Sequence, residues 1–273
     1  MRKSESGFSR PFLIIVGGIV MVLVTGYLWG FQTLVWWQYK HNYAKGLPIL
    51  NLTPQSLRNA AASSAEGMKL SHAGFEFEVP WADIDKEKTK VAANLAVFTF
   101  RSGRVLMFYG PSPKHEDLLS EFEKQMGDKE KQNLRKLFGP EATRTNYAFH
   151  EAVLEETPAE LRPWMSYREA VRSSMLLMAK AISSVGGETG LFRAGAHGWK
   201  GFQFDDPAKQ PKKVTLELYD TQDRHVEIIF MGKKNSGFDI TQADINRALV
   251  TLTPVNPLSA SETVAQRGTK LRN

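Results

Sequence analysis

The chain has 273 residues, 42% of them hydrophobic and 23% charged, which is the balance of a globular protein and excludes wholesale disorder. It has no cysteine, so disulfides, thiolate nucleophiles and cysteine-based zinc or iron–sulfur sites are excluded together. The net charge of +6 lies in the flanks, since residues 72–255 hold 25 Lys/Arg against 26 Asp/Glu, so neither a phosphate-tracking basic surface nor a nucleic-acid partner is expected.

Residues 1–10 form a short basic start with Arg2, Lys3 and Arg10. From Pro11 to Tyr39 no charge interrupts the chain, and Pro11–Phe31 is almost wholly apolar. At about 1.5 Å per residue that stretch spans roughly 31 Å, the thickness of a bilayer core. Tyr27, Trp29, Trp36, Trp37 and Tyr39 gather at its end, where amphipathic rings favour a membrane interface. Residues 11–39 are therefore expected to be a single transmembrane helix held in lipid. Tyr27-Leu28-Trp29 offers no small-x-small cleavage site, which favours an uncleaved signal-anchor over a signal peptide. The basic start places the N-terminus in the cytoplasm and the rest outside it, in the periplasm of a Gram-negative cell. Gly26 and Gly30 make a GxxxG pair, a route to a homodimer through the span.

Residues 40–71, with Pro48 and Pro54, read as a stalk containing a short helix near Gln55–Ala62. A soluble domain follows over 72–255. Phe75, Phe77 and Val79 alternate with Glu76 and Glu78, the period of a half-buried strand. Ala92–Phe100 and Val105–Tyr109 flank Ser102-Gly103 as a hairpin. Ser112-Pro113 opens a helix carrying Leu118, Leu119, Phe122 and Met126. A second helix runs from Asp128 to Phe138 and stops at Gly139-Pro140, and a third covers about Asn146–Glu156. Thr157–Glu160 and Ser166–Glu169 both match the capping box. The second box opens the best helix, with Val171, Met175, Met178, Ile182 and Val185 on its expected inner face. Strands return at Gly190–Ala194, Trp199–Phe204, Val214–Tyr219 and His225–Met231. Thr241 caps a last helix bearing Ile245, Leu249 and Leu252, and residues 256–273 are a polar tail expected to be disordered.

Strands, helices, a strand meander and a final helix define an α+β domain: a mostly antiparallel sheet packed with helices, after the transmembrane helix. Gly74–Trp81, Trp199–Met231 and Thr241–Leu252, about a third of the domain, resemble the PsbP-like domains in their order. The stretch from Ser112 to Val185 is longer than that pattern. The resemblance implies an accessory or binding module.

Candidate chemistry is sparse. His150-Glu151 lies on a helix, but Leu154 stands where a second zinc ligand belongs, so His150 is expected on the helix surface. Asp83, Asp85 and Glu87 alternate, yet Lys88 occupies the position where a calcium loop needs glycine. Gly187, Gly190, Gly195, Gly198 and Gly201 form no phosphate-binding motif and read as turns. No serine sits in a nucleophile elbow. His197 and His225, with Asp205 and Asp206, are the candidates for a dispersed catalytic group. No cofactor and no metal site is expected. The leading functional reading is a non-enzymatic domain, tethered to the membrane, that binds a protein or ligand. The alternative is an anchored hydrolase with its site around the glycine-rich hairpins. A deep pocket gathering histidines and carboxylates would favour the hydrolase.

Overall fold

A computed structural model describes residues 26, 30–57, 61–64, 66–111, 123, 126–183, 189–233 and 239–255. In chain order its elements begin with α1, described over 30–46 with a π-helical turn at Gln38–Tyr43, followed by β1 (Gln55–Ser56), β2 (Met68–His72) and β3 (Phe75–Val79). Next come β4 (Lys90–Val91), β5 (Leu95–Thr99), β6 (Val105–Tyr109), α2 (Asp128–Phe138), α3 (Asn146–Glu155) and α4 (Tyr167–Ser183). The chain then forms β7 (Leu191–Ala196), β8 (Trp199–Phe204), β9 (Val214–Tyr219), β10 (His225–Met231), α5 (Gln242–Thr251) and β11 (Thr253–Pro254).

The fold is α+β. Eight strands pair in the order β1-β7-β8-β9-β10-β6-β5-β4, and three more in the order β11-β3-β2. Within the larger sheet only β1 and β7 run parallel; the other pairs are antiparallel. Period-two alternation sets which face each residue occupies. Leu216 and Leu218 of β9, Val226 and Ile228 of β10 and Leu106 and Phe108 of β6 point to one side. There they meet Phe75, Phe77 and Val79 of the small sheet, Ile245 and Leu249 of α5, and Leu252 just after it. Phe77 and Phe108 stack with centroids 5.2 Å apart at 15°, and each fully buried side chain of this size contributes about 1.5–3 kcal/mol. Trp199 Nε1 donates to the Leu252 carbonyl at 2.9 Å, so the indole adds apolar area without an orphaned donor. Gly201 is required where β8 meets β9, because a Cβ there would lie 1.9 Å from the Glu217 carbonyl oxygen.

The opposite face carries the helical layer. Tyr147 and Leu154 of α3 pack with Leu191, Phe202 and Phe204, while Phe149 and Val153 turn toward α2 and α4. α3 starts where it does because its free N–H groups are taken in turn. Thr145 Oγ1 accepts from Ala148 N at 3.0 Å, and the Asp223 carboxylate accepts from Asn146 N at 2.6 Å and Tyr147 N at 3.2 Å. Asp223 lies in the β9–β10 connection, so the sheet itself caps the helix.

Several expectations are corrected. The transmembrane helix and signal-anchor do not stand: among the described residues no helix is long and apolar enough to cross a membrane. Residues 11–25 and 27–29 lie outside the described set, and Gly26 and Gly30 meet no neighbouring atom within 4 Å of a side chain's first carbon. The end of the uncharged stretch belongs to the domain. Val35 is buried, Trp36 and Tyr39 pack with Leu50, Leu161 and Leu177, and the Tyr39 hydroxyl donates to the Ser174 carbonyl at 3.0 Å. The same rings that suit a lipid interface are satisfied by this protein's own leucines and a carbonyl. In the expected stalk, Ile49 and Leu50 are buried and Gln55–Ser56 form a strand in place of a helix. The expected helix from Ser112 and the tail over 256–273 fall outside the described residues, except for Glu123 and Met126. Thr157 makes no side-chain cap, and only a short 3-10 turn follows it at Pro158–Glu160. The Ser166 box is realised, with Ser166 N donating to Glu169 Oε2 at 2.8 Å and Glu169 N to Ser166 Oγ at 3.2 Å.

The inner face of α4 differs too. Met178 and Ile182 are 51% and 61% exposed, whereas Ala170, Ser173, Leu176, Leu177, Ala179 and Lys180 are buried. Lys180 is fully buried because its three ammonium donors meet three carbonyls: Leu52 O at 2.6 Å, Leu154 O at 2.7 Å and Glu156 O at 2.8 Å. The last two carbonyls lie at the end of α3, where carbonyls lack intrahelical partners and a cation is favoured.

Candidate functional site

A cavity of about 630 Å³ opens beside the parallel edge of the large sheet. Four segments wall it: Leu52–Leu57 around β1, Thr189–Phe192 entering β7, the Asp206–Gln210 turn after β8, and Asp239–Gln242 leading into α5. Its size suits a small molecule.

Local chemistry fixes these walls. Asp205, at a positive φ of 74° that a short polar side chain tolerates, accepts from both Thr189 N at 2.9 Å and Thr189 Oγ1 at 2.8 Å. Thr189 Oγ1 accepts in turn from Asp206 N at 3.0 Å, and the Thr189 carbonyl accepts from Lys209 Nζ at 2.7 Å. Gln242, which lines the cavity, and the buried Gln203 behind it exchange amide hydrogen bonds of 2.8 Å in both directions. Gln242 Nε2 also donates to Asn246 Oδ1 at 2.9 Å.

The lining charges already have partners. Asp206 caps the short turn at Pro207–Lys209 by accepting from Ala208 N, Asp239 pairs with Arg104 at 2.9 Å, and Lys209 is bound as above. The lining that remains combines leucine, isoleucine and phenylalanine with the neutral groups of Thr53, Gln55, Ser56 and Thr241.

The most strongly perturbed titratable groups lie elsewhere: Tyr147 and His150 on α3, Glu217 on β9 and Lys180 on α4. His150, expected on a helix surface, is buried at 4% exposure. Its Nδ1 lies 2.9 Å from Tyr219 Oη and 3.2 Å from Glu217 Oε2, and its Nε2 has no hydrogen-bond partner. Burial, reinforced by His225, pulls the imidazole down to about 3. Burial, with the Glu227 carboxylate directly across the strand pair, pushes Glu217 up to about 8. Burial and Glu151 raise the Tyr147 phenol to about 12, and burial lowers the Lys180 amine to about 8. None of these four groups lines the cavity. Sequence reasoning missed them because their burial depends on which side of α3 meets the sheet.

The candidate catalytic group does not assemble. His197 sits exposed in the turn between β7 and β8 at a φ of 49°. His225 opens β10 opposite Tyr219, which is opposite Lys200, so both histidines belong to one end of the sheet. His225 stacks on Tyr219 with centroids 4.8 Å apart. Asp205 and Asp206 follow β8 at the other end. Five strand steps of about 3.3 Å separate the ends by roughly 16 Å, too far for a proton relay between the histidines and the carboxylates. Asp206 does line the cavity, without a histidine beside it.

Asp85 is engaged by Lys88 at 3.0 Å and by the N–H groups of Glu87 and Lys88. Among the described residues no three or more histidines and carboxylates gather as a metal site.

Fold and site together define an α+β domain with an edge cavity separated from its buried acid–base groups. Compared with known proteins, the chain matches no family model, no curated protein and no solved structure.

Proposed function

We propose that this is a non-enzymatic binding domain that takes a small, uncharged ligand with an apolar body in the cavity at the β1–β7 edge. One observation carries the reading: the cavity at the β1–β7 edge and the strongly shifted groups Tyr147, His150, Lys180 and Glu217 occupy different places. Catalysis by acid–base chemistry needs both in one place, with the reacting atom within hydrogen-bond reach of the base. Binding needs only a pre-formed concavity with a few fixed polar groups, and the Thr189–Asp205 and Gln203–Gln242 bonds supply that rigidity. An uncharged ligand is favoured because Asp206, Asp239 and Lys209 are already engaged by the protein.

The test is saturation-transfer NMR of the full chain against a library of neutral fragments, with Ala208→Trp to fill the cavity. Hits that vanish in the variant while its melting temperature stays within about 3 °C of wild type support the reading. Hits that survive unchanged overturn it, as does turnover of an activated ester that responds to His150→Phe.

A further inference from the structure

Gln203 stands on β8 directly across from Phe192 of β7, which lines the cavity, so the two side chains share one face of the sheet. The Gln203 carboxamide is fully buried. The Asp205 carbonyl can only accept, so the 3.1 Å bond to it fixes which end of that amide is nitrogen. The remaining edge presents one N–H beside one C=O. Gln242, the first residue of α5, closes on both at 2.8 Å, making a ring of two hydrogen bonds. The Gln242 nitrogen directs its second hydrogen to Asn246 Oδ1 at 2.9 Å.

The two members of this ring differ in freedom. Gln203 is held in a strand behind the wall. Gln242 is half-buried and lines the cavity, and rotation of its side chain carries the carboxamide away without disturbing the backbone of α5. What Gln203 then offers is a buried donor beside a buried acceptor, and each is costly unless matched. A carboxylate brings two acceptors and an amidinium two donors, so either leaves one half opposed. An ordinary peptide bond is trans, with N–H and C=O on opposite sides, so it satisfies only one half. A lactam or a primary carboxamide carries both on one edge, as Gln242 does.

We propose that the cavity takes a lactam or primary carboxamide whose amide edge replaces the Gln242 side chain on Gln203, an inference that rests on the binding reading above. Gln203 is the residue that reads the polar edge, and Gln242 is an internal stand-in that competes with the ligand. Hydrogen bonds at Gln203 are exchanged two for two, so the wall keeps its support and the net gain comes from the ligand's apolar body. That body meets Leu191, Phe192 and Ile240. The Phe192 ring lies against Gly190, 2.6 Å from where a Cβ would stand, and gives a flat ligand an aromatic wall.

Titration calorimetry of the full chain with two matched pairs of probes tests this. 2-Quinolone is set against coumarin, which carries a ring oxygen where the lactam has its N–H, and 2-naphthamide against methyl 2-naphthoate. In at least one pair the amide is expected to bind about tenfold or more tightly than its partner, because the partner leaves a buried group of Gln203 unmatched. Gln242→Ala removes the competitor and should tighten binding of that amide about fivefold or more. Gln203→Leu removes the edge and should abolish the preference. Equal binding within both pairs overturns the amide assignment, and the cavity reading survives it if Ala208→Trp abolishes that binding. Binding indifferent to Ala208→Trp overturns both, and no binding of any of the four overturns the assignment. Should Gln203→Leu not fold, Gln242→Ala decides: amide affinity unchanged or weakened ends the proposal.

Discussion

On one face of the large sheet, Phe77 lies flat on Phe108 within a layer of leucines, valines and aromatic rings. On the other, a histidine, a glutamate and a tyrosine meet between the strands and α3, and a fully buried lysine of α4 is held by three carbonyls in the layer beyond. The first face is held by area removed from water, which is tolerant of pH and forgiving in detail. The second depends on a few polar atoms, each of which would be costly without its partner. Two sides of one sheet thus differ in what they demand of solution conditions.

The comparison can be broken most forcefully from the dry side. Phe77→Ala is expected to cost about 3–5 kcal/mol in urea unfolding, with a cavity left against Phe108. A loss below 1 kcal/mol would mean that the small sheet does not anchor this face. On the polar side, Lys180→Met should cost about 3 kcal/mol by the same measurement, because carbonyls of Leu52, Leu154 and Glu156 lose their donor together. A methionine tolerated without loss would show that the polar face is dispensable. Acid should separate the faces further. From pH 6.5 down to 3 the unfolded chain holds a proton at His150 that the folded one refuses, so this residue costs wild type about 1.4 kcal/mol per pH unit over that window. His150→Phe removes that slope, and an unchanged slope would assign the acid loss to other groups. Asp223→Ala should cost about 1–2 kcal/mol by uncapping α3. The smallest effect is expected at His197→Gly, which relieves a positive φ in the β7–β8 turn and should stabilise by at most about 1 kcal/mol.

The dry face was legible in the sequence because alternation alone writes it. Phe75, Phe77 and Val79, and Leu216 with Leu218, point inward as their spacing predicts. The polar face was not, because its logic is partnership. The rule that apolar residues mark the inner side of a helix misplaced α4, since Lys180 turns inward and Met178 and Ile182 turn outward. The same rule assigned His150 to solvent. Trp36 and Tyr39 read as interfacial because nothing local distinguishes a lipid boundary from a leucine-lined slot between Leu50 and Leu177. The cavity left no trace in the sequence, being made where four segments far apart in the chain end side by side. β1 is two residues long, below any periodicity that could reveal it.

Lys180 also makes a chemical clock. A fully buried amino group directed at three carbonyls is out of reach of an acylating reagent, so it reacts in molecules whose helices have momentarily parted. Its labelling rate, read by mass spectrometry against the exposed Lys200, would time the breathing of the layer, and any molecule wedged against Thr53 should slow it.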